Sequence, residues 1–512
     1  MKALLKFIVL VLCISVPSNA YTQTWIWGDS CRIDWINGSP VVSKANCSGE
    51  ISSILHTPTG FFYVDSPNKI YTGPNQGRVY NYSGSQVSSS LGIYSQSRVT
   101  MTEIVLFPGD SIKAYIFHTS NAQNGYNLYY STLDLYGNSG GGSFLTRNTR
   151  IVNDDLSGMS MGIIRHGNGR DWWVYVRQCN SATWTITNLW YRFLIDPQGI
   201  HGPYTQNIGQ LSYFDFDQLI FSPDGTKAVY LTQEGLFDMF EIDRCTGLFY
   251  NHQIIFNKVI VPPSPPWPAP ILGTRNGEFS ADGQYFYASA GYNGFADTSY
   301  VLQFDMLDTN IALSRKIIYQ FNPQVQGNDY YPGQLKRGPD NKIYLAGYSY
   351  GHPYSDTCCY DTLTMYLSVI NSPDSAGLAC NFTPFSFYLG GNRTYSCLPD
   401  IPNYQIGPAV GSGCDTLLAT SLSDDLLDEA QSFIIWPNPA TSNIFLRWGG
   451  KEKIKQVSIY AMNGSKIICI PWLQENDYGE ISLQNISTGS YFIEMQLMNG
   501  KRMYRKCMVM KD

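Results

Sequence analysis

One turn sequence, repeated at a fixed interval, constrains this chain more than any other feature. Phe221-Ser-Pro-Asp-Gly-Thr-Lys-Ala-Val-Tyr230, Phe279-Ser-Ala-Asp-Gly-Gln-Tyr-Phe-Tyr287 and Arg337-Gly-Pro-Asp-Asn-Lys-Ile-Tyr-Leu345 each place a Pro/Ala-Asp-Gly/Asn turn before an apolar strand. That chemistry reverses a chain between two strands. The aspartates Asp224, Asp282 and Asp340 lie 58 residues apart. Looser copies precede them: Pro108-Gly109-Asp110 before Ile112–Ile116, Gly167-Asn-Gly169 before Trp172–Val176, and Thr59-Gly60 before Phe61–Val64.

Counted at the turn residue, the copies fall at 60, 109, 169, 225, 283 and 341, a mean period of about 56. Such a unit is long for a solenoid and suits a four-stranded propeller blade. The 392 residues from 21 to 412 divide into seven units of 56. The expected fold is therefore all-β: a seven-bladed β-propeller over 21–412, with six or eight blades as alternatives. Six turns mark six blades, which leaves a degenerate last blade from about Tyr360 to Pro408. Thr24–Trp27 is expected to pair into that blade and close the ring, since closure removes exposed sheet edges.

Composition agrees with a strand-rich chain. Charged residues make up only 14% of the 512, and the 37 tyrosines outnumber the 34 lysines and arginines. Tyr, Thr, Gly and Pro at the expense of helix formers disfavour a helical enzyme. A net charge of −6 argues against nucleic acid or an acidic membrane as partner.

Residues 1–20 read as a secretory signal peptide. Lys2 and Lys6 precede the apolar run Phe7–Val16, and Pro17-Ser-Asn-Ala20 offers small residues for cleavage after Ala20. The run is too short to span a bilayer, Leu12 before Cys13 does not suit a lipoprotein signal, and no later transmembrane segment is expected. Cleavage leaves eleven cysteines, so at least one stays free or pairs between chains; their connectivity is open, and no CxxC spacing suggests zinc.

Past the repeats, Gly411–Glu429 is acidic and without alternation, and residues 413–432 read as a linker. Alternation returns in Asn443–Trp448, Val457–Tyr460, Tyr491–Leu497 and Met503–Lys506, with Asn-Gly hairpin signals at Asn463-Gly464 and Asn499-Gly500. Residues 433–512 are expected to form a small antiparallel β-sandwich.

Two resemblances add to this reading. Trp436-Pro437-Asn438-Pro439-Ala440, Ile459–Gly464, Ile486-Ser-Thr-Gly489-Ser-Tyr491 and a basic end at Lys506 and Lys511 resemble, in order, the type A C-terminal sorting domain of the Bacteroidota type IX (Por) secretion system. The resemblance implies passage through the periplasm, recognition by the type IX machinery and its sortase, and surface attachment or release. Two cysteines and Asp512 depart from that pattern. Trp25–Ser30, Ile33–Pro40, Asp243-Arg-Cys-Thr-Gly247, Gly333–Leu335 with Gly338–Asp340, and Leu367–Pro373 with Ala379–Phe382 resemble secreted Bacteroidota WD40-like propeller proteins. That group implies a fold and a location, and no reaction.

Searches for chemistry return structural readings. Gly137–Gly142 has a serine-protease look, but without a histidine motif it reads as an interblade loop. His56, His118, His166, His201, His252 and His352 form no HExxH or HxH pair. Asp215 and Asp217 share one strand face and read as polar strand-edge residues, without a calcium loop around them. Asp224, Asp282 and Asp340 recur at turns and so fix blade geometry through side-chain-to-backbone bonds. Trp172-Trp173 and Tyr330-Tyr331 are candidates for stacking on a sugar or partner, with interblade packing as the competing role. Asp-Ser/Thr-aliphatic triplets at Asp110, Asp361, Asp374 and Asp415 match a short O-glycosylation pattern. No catalytic residue, metal ligand or cofactor is expected.

The expected function is non-catalytic binding or adhesion toward a glycan or protein, by a residue set the sequence leaves unknown. A secreted hydrolase or lyase with its site at the ring mouth is one alternative, favoured by Asp, Glu or His gathered there; a surface-layer component is another.

Overall fold

Trp172 and Trp173 are neighbours in sequence and face opposite ways, because side chains alternate along a strand. In the computed structural model, Trp172 packs with Val105, Tyr115 and Phe117, while Trp173 packs with Leu219, Ala228 and Phe240. Both belong to a strand buried on its two faces, and the same split recurs in the second strands of other sheets among the described residues. The structure describes residues 24–511 except 37, 49, 58–59, 67–77, 82, 88–101, 111, 122–125, 139–140, 158–160, 181, 184, 214–216, 233–234, 258–271, 293–298, 322–329, 350–360, 395–397, 416–432, 437–439, 449–451, 462–464, 473–477 and 500–501. The expected signal peptide with Ala20, the part of the expected linker from 416 onward, Pro437, Asn438, Pro439 and Gly464 lie outside the described residues.

The chain divides into two compact units, Met1–Leu417 and Leu418–Asp512. Among the described residues the first unit contains seven antiparallel sheets in chain order. The first has strands Thr24–Trp27, Asp29–Ile36 and Ser39–Ser48; the second has Glu50–Thr57, Gly60–Ser66 and Arg78–Asn81. The third runs Thr102–Leu106, Lys113–Asn121, Tyr126–Asp134 and Ser143–Arg150. The fourth runs Gly162–Arg165, Trp172–Asn180, Thr185–Asp196 and Gly199–Asn207, with Ser212–Tyr213 added. The fifth comprises Asp217–Phe221, Lys227–Thr232, Leu236–Asp243 and Leu248–Asn257. The sixth comprises Leu272–Phe279, Tyr285–Tyr292, Ser299–Asp305 and Lys316–Phe321, and the seventh Tyr330–Arg337, Ile343–Ser349, Tyr366–Ile370 and Phe382–Tyr388.

Each sheet shares an apolar core with the next, from Ile26 with Ile54 and Tyr63 round to Tyr287 and Val301 with Leu335 and Leu345. The last core joins the seventh sheet to the first: Tyr344, Ala346 and Leu367 against Trp25, Trp27 and Ile33. The sheets therefore close a ring, and the unit is a β-propeller. Burying both faces of the second strands explains the aromatic-rich, charge-poor composition.

Two sequence expectations are corrected. Thr24–Trp27 pairs with Asp29–Ile36 of its own sheet, so closure comes from side-chain packing across the seam. Among the described residues no separate sheet occupies 360–408; its strands Tyr366–Ile370 and Phe382–Tyr388 complete the sheet begun at Tyr330. The sheet without a marker turn is instead the first, whose first two strands reverse through Gly28-Asp29-Ser30, with Gly28 at φ +59° and Ser30 at +61°. A Cβ at Gly28 would sit 2.5 Å from the Arg393 carbonyl oxygen, so no other residue fits.

Among the described residues the second unit contains two antiparallel sheets, of strands Phe433–Trp436, Asn443–Trp448 and Tyr478–Ser482, and of Lys466–Pro471, Ile454–Ala461, Gly489–Leu497 and Arg502–Val509. They enclose one core that includes Ile444, Leu446, Trp448, Val457, Ile459, Ile493 and Met495. Tyr491 is buried and its hydroxyl donates to the Ser487 carbonyl at 2.8 Å. Gly489 begins that strand, while exposed Lys511 donates through its backbone N–H to Thr488 Oγ1 at 3.0 Å. No helix among the described residues is long and apolar enough to cross a membrane.

Candidate functional site: a strap across the ring

After Tyr388 the chain leaves the seventh sheet through Gly390 and Gly391, both at positive φ, and makes contact with distant sheets in quick succession. Trp27 Nε1 of the first sheet donates to Thr394 Oγ1 at 3.1 Å. The Leu398 N–H donates to Gln334 Oε1 of the seventh sheet at 2.7 Å. The Ile54 N–H of the second sheet reaches the Asp400 carbonyl. Tyr404 donates to the Ile104 carbonyl of the third sheet at 3.1 Å and meets Trp172 of the fourth edge-on at 5.0 Å. Asn403 Nδ2 donates to the Pro223 carbonyl of the fifth at 3.2 Å, and the Arg244 guanidinium donates twice to the Gly407 carbonyl at 3.0 Å. This short segment thus touches six of the seven sheets at the mouth of the ring.

The strap ends in a covalent bond. Ala409 donates its N–H to the Gly167 carbonyl, and Cys414 is disulfide-bonded to Cys245, in the turn after Asp243. Gly411–Asp415 is thereby tied to the propeller unit. Cys380 and Cys507 are buried free thiols and Cys469 is an exposed one.

Between the strap and the first strands of the third to seventh sheets lies a cavity of about 640 Å³. Its walls include Glu103, Arg165, Gln218, Asn276, Glu278, Gln334, Lys336, Arg337, Asp400, Tyr404 and Gln405. Pro223, Gly338 and Asn341 at its edge put it at the end of the ring that carries the repeated turns. The first strands converge here because they are the innermost of each sheet.

The charged groups lining the cavity are largely committed to each other or to the backbone. Lys336 Nζ meets Asp400 Oδ1 at 3.0 Å. Burial alone would lower the Lys336 pKa, but the Asp400 and Glu278 carboxylates outweigh it and hold the ammonium above its ordinary value. Glu278 accepts the backbone N–H of Phe279 at 3.0 Å and of Arg337 at 3.1 Å. Arg165 is held over Trp172, 4.3 Å from the ring centre, and donates to the Gly169 carbonyl at 2.9 Å; burial lowers its pKa.

A second set was not singled out from sequence. Gln218, Asn276 and Gln334 are all buried, each seven residues before a turn residue and 58 apart like the aspartates. Asn276 Nδ2 donates to Gln218 Oε1 across the fifth and sixth sheets. The signal that could have revealed them is the repeat period read at the strand instead of at the turn.

The sequence candidates fall elsewhere. Asp224 Oδ1 accepts from Ser222 Oγ at 2.6 Å and from the Thr226 N–H at 3.0 Å. Burial raises its pKa, and these bonds outweigh that and lower it. Asp282 makes the same pair with Ser280 Oγ and the Gln284 N–H, and Asp340 accepts from the Lys342 N–H and the Tyr344 hydroxyl. Asp217 is no strand-edge residue: it is buried and accepts from Ser157 Oγ and the Tyr230 hydroxyl. Asp215 lies outside the described residues.

Gly137–Gly142 joins two strands of the third sheet and does not link blades. His118 is buried against Ser131, His166 bonds the Cys245 carbonyl, and His201 and His252 pair with Asp196 and Asp238; His352 is not described. Asp110, Asp374 and Asp415 accept backbone N–H groups, and Asp361 opens a single helical turn. The Tyr330 and Tyr331 side chains lie outside the described set. Among the described residues, no three of His, Cys, Asp and Glu gather where they could hold a metal ion.

Comparison with known proteins follows the same division. Residues 434–510 match the secretion system C-terminal sorting domain family. The chain thus carries a type IX sorting tail and is exported to the cell surface or beyond it. No curated protein sequence matches. Similar solved structures include a protein from Lactobacillus plantarum (10% identity, 74% of this chain and 98% of that one, TM-score 0.45). The periplasmic gluconolactonase of Pseudomonas aeruginosa is also similar (12%, 74% and 99%, 0.45). So is the Cps50 (Swd1) β-propeller domain of Myceliophthora thermophila (12%, 64% and 93%, 0.35).

Proposed function

We propose that the protein is a secreted, non-catalytic binding propeller that presents the strap-covered cavity to a glycan or protein outside the cell. The observation that carries this reading is the state of the cavity's ionisable groups. Asp400 is paired with Lys336, and Glu278 accepts two backbone N–H groups. A general acid or base needs a free proton site and a pKa near the working pH; these groups are engaged in holding the strap and the inner strands together. Adhesion is the role that fits a surface-delivered ring with such a site.

A hydrolase or lyase is the second reading, and one observation favours it: Glu103, Glu278 and Asp400 line the same cavity. An array of glycans and extracellular proteins, probed with the purified full chain beside a panel of chromogenic substrates, separates the two. Saturable binding without product supports the binding role. Product formation abolished by Glu103→Gln or Glu278→Gln would replace it with the enzyme.

A further inference from the structure

We infer that the cavity receives one unit of an uncharged polyhydroxy ligand, a neutral sugar residue, and that Gln218, Asn276 and Gln334 read its hydroxyl groups. This rests on the binding reading above and specifies the ligand class for the same cavity.

The three amides occupy one register position on the first strands of the fifth, sixth and seventh sheets, 58 residues apart. They are 7%, 2% and 3% exposed. Apolar side chains would serve the ring better there if packing were the only requirement, because a buried amide is costly unless its hydrogen bonds are met. Two of the bonds are met internally: Asn276 Nδ2 donates to Gln218, and Gln334 Oε1 accepts from the strap at Leu398. The Asn276 Oδ1 acceptor is buried and has no hydrogen-bond partner among the described residues, although Asn276 lines the cavity. A ligand hydroxyl donates to such an oxygen and accepts from a neighbouring amide, the dual role that an amide also plays.

Charge and size point the same way. The ionisable residues named in the wall are three acids, Glu103, Glu278 and Asp400, and three bases, Arg165, Lys336 and Arg337. With Lys336 and Asp400 paired, the wall does not select an anion or a cation. A volume of about 640 Å³ lies within the range of about 300–1,000 Å³ typical of small-ligand sites.

The test uses the full secreted chain, titrated by calorimetry and saturation-transfer NMR with lactose, cellobiose, maltose and N,N′-diacetylchitobiose. Digalacturonate and triglycine serve as acidic and peptide contrasts. Asn276→Leu removes the buried acceptor; Gln405→Ala trims an exposed strap residue of the same wall and guards against a folding defect. At least one neutral disaccharide should bind the wild type, about tenfold more weakly after Asn276→Leu and more weakly after Gln405→Ala in a chain with unchanged melting. Failure of all four disaccharides, or binding indifferent to both variants, overturns the inference. Binding of triglycine alone also overturns it while leaving a binding role intact. Cleavage of a disaccharide overturns the binding reading itself.

Discussion

Cys414 is bonded to Cys245 across 169 residues of chain, and that bond pins the end of the strap to the fifth sheet. A cross-link over so long a loop restricts the unfolded chain and contributes about 2–5 kcal/mol. Cys414→Ser should lower the denaturant midpoint of the secreted protein accordingly. Reductant should lower the wild-type midpoint by more than it lowers that of the variant. Equal midpoints for oxidised wild type and variant would contradict the role.

Lys336 and Asp400 join the seventh sheet to the strap, with 17% and 19% of their side chains exposed. Removing one partner leaves the other buried and unpaired, so Lys336→Met should cost about 3 kcal/mol, and a Lys336→Met/Asp400→Leu double replacement less. The folded pKa of Lys336 lies above its ordinary 10.5. The pair's contribution is therefore complete below about pH 10.5 and is lost as pH rises through the folded value. Melting curves from pH 8 to 11.5 should show that alkaline loss in the wild type and a smaller one in Lys336→Met.

Much of the ring was legible because its turns need special residues. Asp224, Asp282 and Asp340 recur at 58 residues since each cradles its own hairpin. The first sheet was hidden because Gly28-Asp29-Ser30 makes its reversal, with no Asp-Gly turn to mark it. Closure was misassigned for a related reason: the packing of Trp25 on Tyr344 leaves no periodic trace, whereas strand pairing is the usual inference from an N-terminal apolar run. The strap is irregular, and partners such as Tyr404 with Ile104 are 300 residues apart. The amides were visible in the period yet masked by apolar neighbours such as Leu219 and Leu335.

The turn residues offer a graded test. Gly225 and Gly283 both sit in the left-handed region, at φ +70° and +73°, where Ala costs about 1 kcal/mol. A Cβ at Gly225 would also meet Arg244 Cδ at 2.8 Å, whereas at Gly283 the nearest neighbour is Pro223 Cδ at 3.6 Å. Gly225→Ala should therefore destabilise more than Gly283→Ala. Asn341 holds the same conformation at φ +61°, so Gly283→Asn should be the mildest of the three. Urea midpoints give the order directly.

Export depends on the second unit, whose residues 434–510 match the sorting family. Deleting residues 433–512 should hold the chain in the periplasm of a type IX-competent host. Surface display of the truncated chain, detected on intact cells, would contradict the assignment.

The most direct test of the binding role is a mass balance on a captured partner. The secreted chain is incubated with any glycan or protein it retains on an array, and the partner is weighed by mass spectrometry before and after. Recovery unchanged in mass and in stoichiometric amount is the expected result. A new product that disappears when Glu103 or Glu278 is replaced by Gln would show that the ring is an enzyme.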